Sequence, residues 1–353
     1  MNNDFIFMNR AWELALKGWG RTMPNPMVGA VVVKSGKIIA EGYHHYCGGD
    51  HAEIDALKKV GLKAKGAILY VTLEPCAYQG RTPPCSEAIL KAGIKKFVYG
   101  AKDPNPLNNG KSLNFLKKHG VDIKRSLLAD ELSRMNEAFN HWIIKGVPFV
   151  TAKMAQTIDG KIATMDGESK WITSRFARDY ARRLRFGFDA ILVGINTVLV
   201  DNPQLTPFPL KRIKKIVLDT EGRIKPQARL FKGTAFEDVM VFTAHPSRVK
   251  IKGEVISSPL YQGKIDLKWV LAYLGKREIT NVLIEGGGHM VGGALKRGLV
   301  NKMMIYMAPK IMGEGISGIQ GLRCKKLKQA LELKEMSIDK LGEDILIQGY
   351  LTI

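Results

Sequence analysis

The chain has 353 residues, 45% of them hydrophobic and 25% charged, with a formal net charge of +21; the composition is globular and the length suits two cores better than one. No apolar run approaches the roughly 18 residues that span a bilayer, and Met1-Asn2-Asn3-Asp4 does not begin a basic-then-apolar signal peptide, so a cytoplasmic protein is expected and a membrane or exported one is not. The basic excess is spread, with 21 basic against 13 acidic residues over 1–145 and 33 against 20 beyond, which reads as a solvated surface that favours an anionic small molecule over a nucleic acid.

Phe5–Leu16 carries Met8, Trp12, Ala15 and Leu16 along one face and predicts a helix. Val28–Lys34 and Lys37–Gly42 read as strands joined by the hairpin pair Ser35-Gly36. A helix over Ala52–Val60, a strand over Ala67–Leu73, a helix over Ser86–Ala92 and a strand over Lys95–Gly100 follow. Lys111–His119, Val121–Lys124 and Ala129–Ile144 continue as helix, strand and helix. This alternation predicts a layered α/β domain over 1–146, ending at Gly146-Val147-Pro148. A second α/β domain, 147–353, is richer in strands: Phe149–Ala155, Ala190–Gly194, Lys215–Asp219, Val239–Thr243, Asn281–Ile284, Asn301–Ala308 and Ile345–Leu351. Ser174 is placed to N-cap a helix running to about Phe186.

Three of the four cysteines, Cys47, Cys76 and Cys85, lie within 39 residues, and Cys324 is remote. Without an export signal, such clustering points to metal or catalysis before disulfides. His51-Ala52-Glu53 opens a helix, Pro75-Cys76 follows a strand, and Cys85 opens a helix after Pro83-Pro84. Helix starts favour the thiolate that zinc requires. One imidazole and two thiolates leave the fourth position of a tetrahedral zinc open to water, the catalytic pattern. Glu53, two residues from a ligand, is placed to carry protons without binding the metal, the H-x-E…P-C arrangement of nucleobase deaminases. A closed structural site would need a fourth ligand, for which Cys47 and His44 are the candidates.

Most zinc deaminases space their cysteines C-x-x-C, whereas eight residues separate Cys76 from Cys85 here. Pro75 to Cys85 (PCAYQGRTPPC), Pro24-Asn25-Pro26-Met27-Val28-Gly29 and Thr72-Leu73-Glu74 resemble the deaminase half of the bifunctional riboflavin-biosynthesis deaminase–reductase (RibD) family. Asp159-Gly160-Lys161, Gly167 to Ser174 (GESKWITS), Asp201 to Thr206 (DNPQLT), Glu285-Gly286-Gly287-Gly288 and Ala308-Pro309-Lys310 resemble its reductase half. The resemblance implies a cytidine-deaminase-like three-layer domain followed by a dihydrofolate-reductase-like domain. It implies loss of the 2-amino group from a diamino-ribosylaminopyrimidinone 5'-phosphate, then reduction of ribosyl to ribityl. It makes His51, Cys76 and Cys85 the zinc ligands and Glu53 the catalytic proton shuttle. It places Asn25 and His44 against the substrate, with Arg81 as a phosphate candidate.

For the reductase half the resemblance implies NADPH contacts from Ala155, Trp171, Thr197, Asp201, Thr220, Gly287, Gly288, Gly292 and Gly293. Ser169, Arg185, Leu205 and Glu285 fall where the family binds the ribosyl substrate, with Arg185 as the phosphate partner because its planar fork matches phosphate oxygens. The glycine run opens a helix, where backbone amides can receive phosphate. Lys153 and Asp201 are the ionisable candidates near hydride transfer, neither assigned as the acid. One departure stands out: the family often has an arginine shortly after the Leu-Thr step, and this chain reads Leu205-Thr206-Pro207-Phe208-Pro209. Lys211 and Arg212 are the nearby cations that could take its place. A tRNA deaminase is the competing reading, disfavoured by the cysteine spacing, and a zinc-stabilised binding module is another. The sequence leaves a homo-oligomer open.

Overall fold

The computed structural model describes residues 3–78 and 83–351, so Arg81 lies outside the described residues. The chain divides into two compact units, Met1–Gly146 and Val147–Ile353.

The first unit is a five-stranded sheet between two helical layers. Helix α1 (Asn3–Leu16) precedes the hairpin of β1 (Gly29–Lys34) and β2 (Lys37–Tyr43), whose turn residues Ser35 and Gly36 both take positive φ, as a tight hairpin needs. Then come α2 (Ala52–Val60), β3 (Ile68–Leu73), α3 (Cys85–Lys91), β4 (Lys96–Ala101), α4 (Lys111–Lys118) and β5 (Asp122–Arg125). The strand order is β2-β1-β3-β4-β5, with β1 antiparallel to both neighbours and β3, β4 and β5 parallel. Alternation along β1 sorts the two cores. Ala30 and Val32 join α2, α3 and α4 through Ala56, Ile89 and Leu116, while Val31 and Val33 join α1 through Met8, Ala11 and Leu14. Gly29 has no side chain because a Cβ there would meet Ala11 O at 2.0 Å.

The helix expected over Ala129–Ile144 is two helices, α5 (Ala129–Met135) and α6 (Glu137–Lys145). The break falls at Asn136 (φ −107°, ψ 28°), whose carboxamide accepts from Met27 N (2.8 Å) and donates to Met27 O (2.9 Å). Two backbone partners 109 residues away outcompete one helical dihedral pair. Gly146, in the left-handed conformation, closes α6.

The second unit holds β6 (Phe149–Thr157), β7 (Lys161–Ala163), α7 (Arg175–Leu184), β8 (Ala190–Gly194), α8 (Ile195–Asp201), β9 (Lys214–Leu218), β10 (Val239–Thr243), β11 (Glu254–Ser257), the short pair β12 (Leu260–Tyr261) and β13 (Lys264–Ile265), α9 (Leu267–Lys276), β14 (Asn281–Glu285), α10 (Gly288–Lys296), β15 (Lys302–Ala308), β16 (Ile316–Ser317), β17 (Leu333–Leu341) and β18 (Asp344–Leu351). Nine strands form one sheet, β11-β10-β9-β8-β14-β6-β15-β18-β17. It is parallel from β11 through β15 and antiparallel at β15-β18-β17. Ala190 and Leu192 face α9 and α10, and Ile191 and Val193 face α8 and the loops beside it. Each fully buried valine, leucine or isoleucine side chain among them contributes about 1.5–3 kcal/mol. Ser174 does N-cap α7, its hydroxyl accepting from Ala177 N.

Candidate active sites

In the first unit the functional residues come from the loops before β1 and after β2 and β3 and from two helix starts. His51 immediately precedes α2, Cys85 is the first residue of α3, and Cys76 sits in the loop after β3. Their ligand atoms all lie within 4.8 Å of one another. His51 Nδ1 is 3.1 Å from Cys85 Sγ and 3.7 Å from Cys76 Sγ, and Cys85 N donates to Cys76 Sγ at 3.3 Å. The Cys85 hydrogen bond pulls the Cys76 thiol down to about 4 against burial, and the same bond together with burial pushes Cys85 up. One imidazole and two sulfurs converging at this range are a donor set that fits zinc.

Glu53, in the first turn of α2, is 3% exposed, and burial pushes its carboxyl up to about 7 against the pull of His51. Neither candidate fourth ligand joins the group: among the described residues it contains His51, Cys76 and Cys85. His44 is 2% exposed and engaged elsewhere. Its Nδ1 lies 2.9 Å from Asp50 O and its Nε2 3.1 Å from Asn25 Nδ2. Burial holds its pKa down, so the ring is neutral. A carbonyl can only accept, which puts the proton on Nδ1 and makes Nε2 the acceptor for the Asn25 amide. Asn25 Oδ1 remains as an acceptor, on a loop fastened by the Asn136 clasp on Met27.

In the second unit the residues gather at the carboxyl ends of the parallel strands, the usual ligand edge of such sheets. Arg185, just after α7, forms a two-point pair with Glu285, the last residue of β14, with Nε–Oε1 at 2.6 Å and Nη2–Oε2 at 2.8 Å. Its Nη1 donates to Thr206 O at 3.1 Å. That face of the guanidinium meets a carboxylate, where the resemblance implied a phosphate. Burial would raise Glu285, but the Arg185 charge outweighs it and holds the carboxyl at about 2. Lys153 on β6 stands 4.0 Å from Glu285 Oε2 and 5.5 Å over the Tyr306 ring, with its pKa lowered by burial. Ala155 lies two residues further along β6.

Ser169 Oγ donates to Asp201 Oδ1 at 3.4 Å, joining the loop before α7 to the end of α8. Trp171 is 64% exposed, with the Arg178 guanidinium 4.2 Å over its ring, so it is no core residue. Thr197 lies in α8, and its Oγ1 is 3.8 Å from where a Cβ on Gly286 would stand. Thr220 follows β9, its carbonyl accepting from Ala244 N at 3.2 Å. Leu205 is 3% exposed in the core beside Ile191 and Val193, which leaves only its backbone, bent to φ 56°, for a substrate.

The glycines divide. A Cβ at Gly288 would meet Ser317 O at 2.6 Å, and one at Gly292 would meet Gln320 O at 1.9 Å. Their smallness therefore serves the chain's own 317–320 backbone. A Cβ at Gly287 or Gly293 meets nothing within 4 Å. Open backbone at Gly287, which caps α10, fits a dinucleotide phosphate. The two cations suggested in place of the missing arginine have partners within the chain. Lys211 Nζ donates to Phe186 O and Phe188 O at 2.9 and 3.0 Å, and Arg212 pairs with Glu237 and Asp238.

Residues 1–101 match the cytidine and deoxycytidylate deaminase zinc-binding region, and residues 148–347 match the RibD C-terminal domain. The riboflavin biosynthesis protein RibD of Aquifex aeolicus is 41% identical over 98% of this chain and 97% of its own length. The chain belongs to the RibD family. The Escherichia coli RibD is 37% identical over 97% of this chain and 98% of its own. Among solved structures, Acinetobacter baumannii RibD superposes with a TM-score of 0.90 at 35% identity, each chain covered to 99%. A Thermotoga maritima diaminohydroxyphosphoribosylaminopyrimidine deaminase/5-amino-6-(5-phosphoribosylamino)uracil reductase gives 0.89 at 36%, again over 99% of each. As a RibD protein the chain is a bifunctional deaminase and reductase of riboflavin biosynthesis, with zinc in the first domain and NADPH in the second. The tRNA-deaminase alternative is not favoured. Among the described residues no helix is long and apolar enough to cross a membrane.

Sequence reasoning gave no role to Asn136 or Asn108 and met Glu74 only within Thr72-Leu73-Glu74. Each is a buried polar residue with side-chain partners on distant segments, such as Met27 for Asn136, Gly110 for Glu74 and Pro75 for Asn108, and nothing local in the sequence signals such a contact.

Proposed function

We propose that the first domain hydrolytically deaminates 2,5-diamino-6-(5-phosphoribosylamino)pyrimidin-4(3H)-one, and that the second reduces the ribosyl side chain of the product to ribityl. The observation that carries this reading is the convergence of His51, Cys76 and Cys85 within 4.8 Å, with buried Glu53 beside them. These three residues hold the zinc. Zinc in such a site makes a nucleophilic water available at neutral pH. Glu53 holds and returns the protons that deamination moves, its carboxyl shielded from bulk water by α2 and its neighbours. Asn25 presents Oδ1 to donors on the pyrimidine, and His44 fixes which end of that amide faces the substrate.

In the second domain NADPH supplies the hydride. Ala155, Trp171, Thr197, Asp201, Thr220 and the open glycines Gly287 and Gly293 line its place. Gly288 and Gly292 contribute by letting the 317–320 segment close against α10. Ser169, the Leu205 backbone and the Arg185–Glu285 pair position the ribosyl group, with Lys153 4.0 Å from that pair. A reducing, cytoplasmic setting suits a site that needs Cys76 and Cys85 as sulfur ligands rather than as a disulfide.

The test is Glu53→Gln. The variant should keep its zinc, lose ammonia release from the diaminopyrimidine phosphate, and still oxidise NADPH on substrate that is already deaminated. Undiminished ammonia release would sink the assignment.

A further inference from the structure

Cys76 lies in an irregular segment, with no helix or ladder to aim its sulfur. The sulfur must nevertheless stand within tenths of an ångström of its place for a tetrahedral site. One side chain brackets this segment. Asn108, 0% exposed in the loop between β4 and α4, donates through Nδ2 to Pro75 O at 2.9 Å and accepts through Oδ1 from Ala77 N at 3.0 Å. Pro75 and Ala77 are the residues on either side of Cys76, so one carboxamide brackets the cysteine as a rung of sheet would. The carbonyl of Cys76 itself accepts from Ser86 N at 3.2 Å.

Asn108 is in turn held fast. The second N–H of its amide goes to Asp103 Oδ2 at 2.9 Å, and Asp103 Oδ1 accepts from Asn105 N at 2.9 Å. Glu74, 3% exposed, gathers the same loop on one carboxylate, accepting from Gly110 N at 2.7 Å, Ser112 Oγ at 2.8 Å and Asp103 N at 3.2 Å. Both amide hydrogens and the amide oxygen of Asn108 are engaged in a buried network, where a fixed orientation is enforced by the cost of any unmade bond.

We infer that Asn108 is a positioning residue for the metal centre, acting through the two peptide groups that flank Cys76. This rests on the zinc assignment above. It makes the loop between β4 and α4 part of the deaminase machinery, although the loop supplies no ligand.

The experiment uses the full-length chain stripped of metal and titrated with Co²⁺, whose d–d and thiolate charge-transfer bands report ligand geometry where zinc is silent. Asn108→Ala should bind cobalt about tenfold more weakly and show displaced d–d bands, with NADPH oxidation on deaminated substrate unchanged. Ser112→Ala removes one bond from the same network without touching the Cys76 loop. It should lower thermal stability yet keep the wild-type spectrum and affinity. Asn108→Ser, which retains one hydroxyl, should fall between Asn108→Ala and the wild type, and decides the matter by the same readouts if the alanine variant does not fold. Wild-type cobalt affinity and spectrum in the Asn108 variant that folds would overturn the inference, as would an equal spectral change in Ser112→Ala. A wild-type chain that takes up no cobalt overturns the zinc assignment, and this inference with it.

Discussion

Arg185 and Glu285, 100 residues apart, form a buried ion pair with Nε–Oε1 at 2.6 Å and Nη2–Oε2 at 2.8 Å. It ties the turn after α7 to the end of β14, and its side chains are only 16% and 11% exposed. Removing one partner strands the other charge in the interior. Glu285→Gln should therefore destabilise the second domain by about 3 kcal/mol and abolish NADPH oxidation, while leaving ammonia release intact. Denaturant unfolding and the two assays, run on one preparation, check this.

The same pair sets a pH dependence. Glu285 sits at about 2 in the folded chain against an ordinary 4.5. Its folded value is depressed, so the stability it contributes is fully present above 4.5 and is lost as pH falls through that range toward 2. A shift of this size corresponds to about 3 kcal/mol. The stability gap between the wild type and Glu285→Gln should be widest near pH 6 and shrink steadily from pH 4.5 to pH 2.5. A gap that stays constant over this range would show that the pair is not the source.

The zinc trio was legible because its geometry is local. His51 and Cys85 sit at helix starts, and Cys76 directly follows a strand, so spacing and element type placed all three near one another. Strands such as Ala190–Gly194 and Val239–Thr243 were legible for the same reason, being short apolar runs between turn signals. What escaped depends on distant partners. At the break, Asn136 clasps the backbone of Met27, 109 positions away. Nothing local in the sequence signals that Arg185 pairs with Glu285, or that Gly288 and Gly292 pack against the 317–320 backbone. A run of one residue type states what the residues can do, and only the fold states which partner takes up that capacity.

Asn25 and His44 give a prediction in the form of a double-mutant cycle. If His44 acts on the pyrimidine only through the Asn25 amide, Asn25→Ala and His44→Ala should each lower kcat/KM for deamination, by about 1–2 kcal/mol of transition-state stabilisation. The double variant should then cost no more than Asn25→Ala alone, because the second substitution removes an interaction already gone. Additive losses would show that His44 has its own contact with the substrate. Zinc content should remain at the wild-type level in all three.

Metal removal separates the two activities. Cys85→Ser weakens the donor set by replacing a thiolate, zinc's preferred sulfur ligand, with a hydroxyl that stays protonated near neutrality. The variant should lose bound zinc and ammonia release together, and readily so on dialysis against a chelator. NADPH oxidation on the deaminated pyrimidine should persist, since its residues all belong to the second unit. Loss of both activities would show that the reductase depends on an intact zinc site.

The cations after Leu205-Thr206 supply the last prediction. The sequence offered Lys211 and Arg212 as substitutes for a phosphate-binding arginine, and the structure commits both elsewhere. Lys211 Nζ caps the carbonyls of Phe186 and Phe188, with burial lowering its pKa to about 8, while Arg212 bridges Glu237 and Asp238. Arg212→Ala should leave the reductase KM for the phosphorylated substrate unchanged within about twofold, because an exposed guanidinium already paired with two carboxylates has little attraction left for a third anion. Lys211→Met should also leave KM unchanged, but it strips two main-chain carbonyls of their donor and should cost about 1–3 kcal/mol of stability. Steady-state kinetics with the phosphorylated and dephosphorylated substrates separate the cases. A KM that rises tenfold for the phosphorylated form alone in either variant would return that residue to the phosphate site and show that its ion pair or carbonyl contacts give way when the substrate binds.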